Sequence, residues 1–110
     1  MGTFVKGDVV VVPFPFSNLH SSKRRPALVL ADSGGDDAIL CQITSQTIKD
    51  DYAVTIELPD IENGSLNTTS NARPNKLFTA DKSIISYKVG TLRQSKMELV
   101  LHTVIELFKG

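Results

Sequence analysis

The chain has 110 residues, 41% of them hydrophobic and 22% charged, with 12 basic residues balanced by 12 acidic ones. That length holds one domain, taken here as residues 1–110. Zero net charge excludes a protein that coats nucleic acid through bulk charge, but leaves room for a local basic groove. A single cysteine, Cys41, excludes an internal disulfide. With His20 and His102 as the two histidines, no Cys/His zinc cluster can form, and no metal or cofactor is expected. The N-terminus turns polar at once, and no apolar run approaches the ~20 residues of a membrane span. The expected setting is a reducing cytoplasm, with no membrane partner.

In chain order, Val9 to Val12 is a β-branched run that reads as a strand closed by Pro13-Phe14-Pro15-Phe16. Ser17 to Arg25 is polar and reads as an exposed loop. Ala27 to Ala31 and Ala38 to Ile43 are apolar runs on either side of Ser33-Gly34-Gly35-Asp36-Asp37, a hairpin pattern. Tyr52 to Leu58 alternates, with Val54, Ile56 and Leu58 on one face of a half-buried strand. Pro59 to Pro74 shows no periodicity and reads as a long polar loop. Lys76 to Ala80 and Lys88 to Leu92 read as strands, with a helical turn between them over Asp81 to Ser86. Ser95, with Glu98 three residues on, has the pattern of a helix capping box. Met97, Val100, Leu101, Val104, Ile105 and Phe108 then recur at helical spacing and define the apolar face of a terminal helix. Five or six strands followed by one helix favour a mainly β fold, a small curved antiparallel barrel.

Several residues have the chemistry to meet an anion. Lys23-Arg24-Arg25 stands at the start of the second strand, and arginine offers bidentate donors to phosphate. Thr44-Ser45-Gln46-Thr47 places hydroxyl and amide groups at the exit of the third strand. Arg73 stands beside Pro74, and His20 in the first loop titrates near neutrality. Taken one by one, each also reads as a solvated turn residue or an ordinary loop polar group. Cys41 inside a strand reads as a small apolar packer, and His102 on the helix's polar face as a surface residue. Residue types and spacing alone reach a small β-rich domain with anion-binding loops and name no activity.

The order of short motifs adds to this. Gly7-Asp8-Val9-Val10, Arg25-Pro26-Ala27-Leu28-Val29-Leu30, Ile43-Thr44-Ser45-Gln46 and Arg73-Pro74-Asn75-Lys76-Leu77-Phe78-Thr79-Ala80-Asp81-Lys82 follow one another. The series resembles the MazF/PemK (Kid) family of toxins from type II toxin–antitoxin modules, over nearly the whole chain. The resemblance implies an SH3-like barrel of the CcdB/MazF type with a C-terminal helix, acting as a homodimer. It implies a sequence-specific, metal-independent endoribonuclease that cuts single-stranded mRNA and is silenced by a cognate antitoxin. The implied catalytic residues are Arg25, Thr44 and Arg73. His20, Lys23, Arg24, Ser45, Gln46 and Asn75 are the implied RNA contacts, with Tyr52, Tyr87, Phe14 and Phe16 as stacking candidates. Two positions depart from the family pattern. Asn75 stands where the Kid-like branch has an aspartate proposed as general base, and the first loop lacks the usual Glu-Gln pair. Two alternatives follow: a non-enzymatic, protein-binding toxin like the gyrase poison CcdB, or an inactive relative that only binds RNA or antitoxin. The absence of tryptophan and the ending Phe108-Lys109-Gly110 speak against the first.

Overall fold

The computed structural model describes residues 4–14, 23–47 and 50–110, with backbone only at Phe14 and Lys23. Seven antiparallel strands form one sheet: β1 (Asp8–Phe14), β2 (Lys23–Asp32), β3 (Asp37–Thr44), β4 (Val54–Ile56), β5 (Ile61–Glu62), β6 (Ser70–Asp81) and β7 (Tyr87–Leu92). Their order across the sheet is β4-β6-β3-β2-β1-β7-β5, and the sheet curls into a nearly closed barrel. One helix, α1 (Gln94–Lys109), packs against β6 and β4. The expected mainly β barrel with a C-terminal helix is therefore the observed architecture.

Alternation of side chains gives the sheet two apolar faces. Val9, Leu28, Leu30, Cys41, Ile43, Ile56, Ala72 and Leu92 point inward, where Met97 and Val100 of α1 cover them. Val10, Val12, Ala27, Val29, Ala38, Leu40 and Ala80 form a second cluster with Ile85, Phe78 and Phe4. Leu28, Leu40, Ile43 and Ile56 are each fully buried, and burying a side chain of this size contributes roughly 1.5–3 kcal/mol.

Pro13 and Pro26 sit where a strand has a neighbour on one side only. β7 pairs with β1 from Asp8 to Val11, so Pro13 faces β2 alone. β3 pairs with β2 from Ala27 onward, so Pro26 faces β1 alone. Neither position needs a donor on its free side. This lets β2 begin at Lys23, four residues earlier than the apolar run indicates, and it puts Arg24 and Arg25 in a strand rather than a loop.

Three other expectations need correction. The Pro59–Pro74 stretch is not one loop: it holds a 3-10 turn (Leu58–Asp60), β5 and the first third of β6. β4 is only three residues long, because the chain turns at Leu58-Pro59. Ser95 lies inside α1, whose N-cap is Arg93 and has no side-chain cap bond. Arg93 instead anchors the helix start, with Nε donating to the Pro59 carbonyl at 2.6 Å and Nη1 paired with Glu62 at 3.3 Å. On the apolar face of α1, Met97 and Val100 are buried and Leu101 and Val104 half-buried, but Ile105 and Phe108 are exposed. The last turn runs past the sheet. Among the described residues no helix is long and apolar enough to cross a membrane.

The turn at Asn63-Gly64 crosses directly over β7. A Cβ on Gly64 would collide with the Val89 carbonyl oxygen and lie 2.8 Å from the Gly90 Cα. Gly64→Ala is expected to cost about 3 kcal/mol, as an overpacked site that backbone must yield to accommodate. Gly34→Ala, at φ +84 with open space around it, is expected to cost about 1 kcal/mol from backbone strain alone. Urea melts of the two variants check the ranking, and equal losses would contradict it.

Candidate active site

Strand register brings Arg25, Thr44 and Arg73 to one face of the sheet. Arg25 pairs with Val12 and lies on the side of Val10, Val12 and Ala27. Ala27 pairs with Gln42, so continuing that register sets Arg25 opposite Thr44, the last residue of β3. On the other side of β3, Gln42 pairs with Arg73 and Thr44 with Asn71. Paired residues share a face, so Arg25, Gln42, Thr44, Asn71 and Arg73 all stand on this side, at the polar end of the second cluster. Adjacent strands lie about 4.8 Å apart and diagonal neighbours about 7–8 Å. This is the scale of a nucleotide's phosphate and ribose.

Thr44 is 9% exposed. Its Oγ1 accepts a hydrogen bond from the Gln46 backbone N–H at 3.2 Å, which leaves the hydroxyl hydrogen to donate elsewhere. Ser45 and Gln46 are exposed in the turn that follows. Asn71 braces this turn, with Nδ2 donating to the Gln46 carbonyl at 3.5 Å and Oδ1 accepting from the Thr55 hydroxyl at 3.2 Å. The position of Asn71 follows only from pairing, so it escaped sequence reasoning.

Arg73 owes its place to a bulge in β6. Cys41 pairs with Leu77 and the next residue, Gln42, with Arg73, so Pro74, Asn75 and Lys76 are extra residues on β6. A proline fits there because the bulge suspends the ladder, and Pro74 is fully buried. Just outside the bulge stands Asp50, a residue without any sequence motif. Its Oδ1 accepts from the Tyr52 backbone N–H at 2.9 Å, while Ala53 N donates to the Asp50 carbonyl at 3.1 Å. This is an Asx turn leading into β4. Its Oδ2 pairs with Arg73 Nη2 at 3.3 Å, with the two side chains 10% and 22% exposed. The Tyr52 N–H, then the Asn75 amide and the Arg73 guanidinium, hold the Asp50 carboxyl below its ordinary range against the opposing effect of burial. Arg73 Nε is buried without a partner among the described residues.

Other candidates are not brought to this face. Arg24 alternates with Arg25 and stands on the opposite side of the sheet. There it lines a groove of about 580 Å³ with Pro26, Ser65, Asn67 and Tyr87. The basic triplet therefore does not converge on one groove. Tyr87 is 53% exposed and Tyr52 39%, so both rings are available for stacking, on separate parts of the surface. Asn75 is exposed beside Asp50. A cavity of about 380 Å³, lined by Gln42, Lys76, Leu77 and Phe78, opens next to the bulge. The backbone of Lys23 opens β2. His20 and Phe16 lie outside the described residues. His102 is exposed on α1, and Cys41 is buried in the inner core. Among the described residues no group of three or more His, Cys, Asp and Glu is arranged to hold a metal ion.

A seven-stranded barrel with one helix thus frames a polar strand end that carries Arg25, Thr44 and Arg73. The chain belongs to the PemK-like, MazF-like family of toxins of type II toxin–antitoxin systems, whose family model matches residues 5–108. The fold is similar to that of MazF in a MazE–MazF structure from Deinococcus radiodurans, with a TM-score of 0.78 at 18% identity, covering 99% of this chain and 98% of that one. It is also similar to the Mycobacterium tuberculosis toxin MazF-mt6, with a TM-score of 0.73 at 15% identity over 93% of this chain and 96% of that one. A mycobacterial endoribonuclease in complex with its cognate antitoxin gives a TM-score of 0.74 at 12% identity, over 97% and 96% of the two chains. No curated protein sequence matches the chain.

Two outcomes follow from the titrating groups. Burial pushes the Cys41 thiol up to about 12, with the Arg73 backbone amide pulling weakly the other way. Alkylation of Cys41 at pH 8 is therefore expected to run at least roughly a hundredfold slower in the folded protein than in denaturant. Comparable rates would place the thiol at the surface. The Asp50 carboxyl, held below its usual 3.8, stabilises the fold above that pH, and this contribution is lost as pH falls through its lowered value. Asp32 and Asp81 are lowered too, by Lys82 and Ser83 respectively. Asp50→Asn should thus flatten the acid limb of a stability–pH curve below about pH 4 in part only. An unchanged limb would remove Asp50 from the account.

Proposed function

We propose that this chain is a sequence-specific endoribonuclease toxin that cleaves single-stranded mRNA without a metal ion, works as a homodimer and is neutralised by a cognate antitoxin. The observation that carries the reading is the assembly of Arg25, Thr44 and Arg73 on one face of β2, β3 and β6. Family membership supports it, as do similar folds in proteins named endoribonucleases, one of them in complex with its antitoxin.

The chemistry is transfer of the phosphoryl group to the neighbouring ribose 2′-OH. The 2′-OH gives up its proton to solvent as its oxygen attacks phosphorus, the bond to the 5′ oxygen breaks, that oxygen takes up a proton from solvent, and the products are a 2′,3′-cyclic phosphate and a 5′-OH. Charge gathers on the non-bridging oxygens in the transition state, so donors fixed in advance against that charge lower the barrier. Arg25 supplies a planar fork of donors from a strand. Thr44 supplies a hydroxyl that accepts from the Gln46 N–H and keeps its own hydrogen to donate to the phosphate. Arg73 supplies a second cation from the other side of Thr44. Ser45, Gln46 and Asn75 stand beside this face and suit contacts to bases splayed from a single strand. Arg24 and Tyr87, on the far face, would meet a more distant part of the RNA, or none.

Arg25→Ala is expected to slow cleavage of a long RNA by roughly 10²–10³, the usual loss for one oxyanion donor, with the fold intact by circular dichroism. Sequencing and end-labelling of the fragments should show 5′-OH and cyclic phosphate ends at a recurring motif, in the presence of EDTA. Cleavage by Arg25→Ala at the wild-type rate would remove Arg25 from the site. Inhibition of DNA supercoiling with no RNA product would favour a protein-binding toxin instead.

A further inference from the structure

We propose that Asp50 is a positioning residue for Arg73, a carboxylate delivered by the turn before β4 that sets the guanidinium against the scissile phosphate. The proposal rests on the ribonuclease reading and deepens it. Among the described residues, Asp50 is the one side chain that partners the Arg73 guanidinium, through Nη2 at 3.3 Å. A flexible arginine held at a single point has its direction set by that point. The anchor itself is rigid: Asp50 is tied by its own Asx turn to the Tyr52 N–H at 2.9 Å, and its backbone carbonyl accepts from Ala53 N. Its side chain is 10% exposed. The Asn75 amide reaches the same carboxylate, so Asp50, Arg73 and Asn75 form one cluster across the bulge.

Two other roles for this carboxylate fit the geometry less well. A general base works best with an affinity for protons matched to the working pH. Asp50 is shifted the opposite way, and its oxygens already accept from several donors. A competitor that occupies Arg73 until phosphate displaces it would need to be free to leave. Asp50 is instead built into the turn, and pairing through Nη2 leaves the Nη1 hydrogens for the substrate.

The test compares wild type, Asp50→Ala, Asp50→Asn, Arg73→Ala and the Asp50→Ala/Arg73→Ala double variant on a short fluorogenic RNA carrying the mapped cleavage motif. Melting curves confirm that each variant is folded at the assay temperature. Asp50→Ala should lower kcat roughly ten- to hundredfold, as expected for a misaligned catalytic group, with KM changed less than about threefold. Asp50→Asn keeps an acceptor of the same shape and should recover part of the loss. In the Arg73→Ala background the Asp50 change should cost nothing further. Asp50 variants that cleave like wild type, or that cleave faster with tighter RNA binding, would overturn the proposal. So would a full additional loss in the double variant. A wild-type protein without RNA cleavage, or an Arg73→Ala variant as active as wild type, would instead defeat the ribonuclease reading of this site. The positioning claim then still stands or falls on the Arg73 Nε–H NMR signal, which should be a single sharp resonance in wild type and broadened in Asp50→Ala.

Discussion

Everything at the candidate site depends on one register carried without inversion from β1 through β2 and β3 to β6. The period of a strand is two, so a slip of one residue in any of these pairings would send a side chain of the candidate site into the inner core and bring a core residue out. The register is secured by the core. Val9, Leu28, Cys41 and Ile43 are all on the inner face and fully or almost fully buried, while Val10, Val12, Ala27 and Leu40 are buried on the other. The alternation that buries these side chains leaves Arg25 and Thr44 on the second face, two residues beyond Ala27 and Gln42. Packing energy in the strand centres thus fixes the geometry at the strand ends, where polar residues carry none of the packing.

Beside the site this regularity is suspended at the bulge in β6, and Arg73 stands on its edge. The extra residues between Arg73 and Leu77 let β6 keep both halves of its ladder with β3 while admitting a buried proline. They also project Asn75 toward the turn that carries Asp50. Bulges commonly re-aim a side chain next to a site, and here the residue re-aimed is flanked on one side by Thr44's partner, Asn71, and on the other by an anchored carboxylate.

Much of the fold was legible because it is written in short-range signals. The Val9–Val12 run, the Gly34-Gly35 hairpin and the helical spacing from Met97 to Val104 each name an element through its own residues. Arg25 and Thr44 were legible for a similar reason, since each stands at an end of an apolar run. What stayed hidden was set by pairing. The first third of β6 has no alternation to reveal it, because it is a strand only by virtue of its ladders with β3 and β4. Arg73 consequently read as a loop residue. The helix start was misplaced because Ser95 and Glu98 match a capping box, while the real anchor is Arg93 bonding to a carbonyl 34 residues away. Asp50 was least visible of all: it sits next to Asp51 in a polar stretch, and its contact with Arg73 spans 23 residues of sequence.

The charge balance of the chain takes on a different meaning once these placements are known. Zero net charge is compatible with a basic groove whose counter-charges lie elsewhere, and Asp50 would then be one of the distant acids. It is instead in contact with Arg73. The neighbours Arg24 and Arg25 diverge to opposite faces, as consecutive strand residues must. The face that holds Arg25, Thr44 and Arg73 is therefore only modestly cationic. A site of this kind gains little from long-range attraction and depends on fit: a fork of donors on Arg25, the Thr44 hydroxyl held by the Gln46 N–H, and a guanidinium paired with Asp50. Such interactions grow strong only when the phosphate sits in the correct geometry. In the proposed reaction they would favour the transition state over mere binding of RNA, which is the requirement for catalysis rather than for coating.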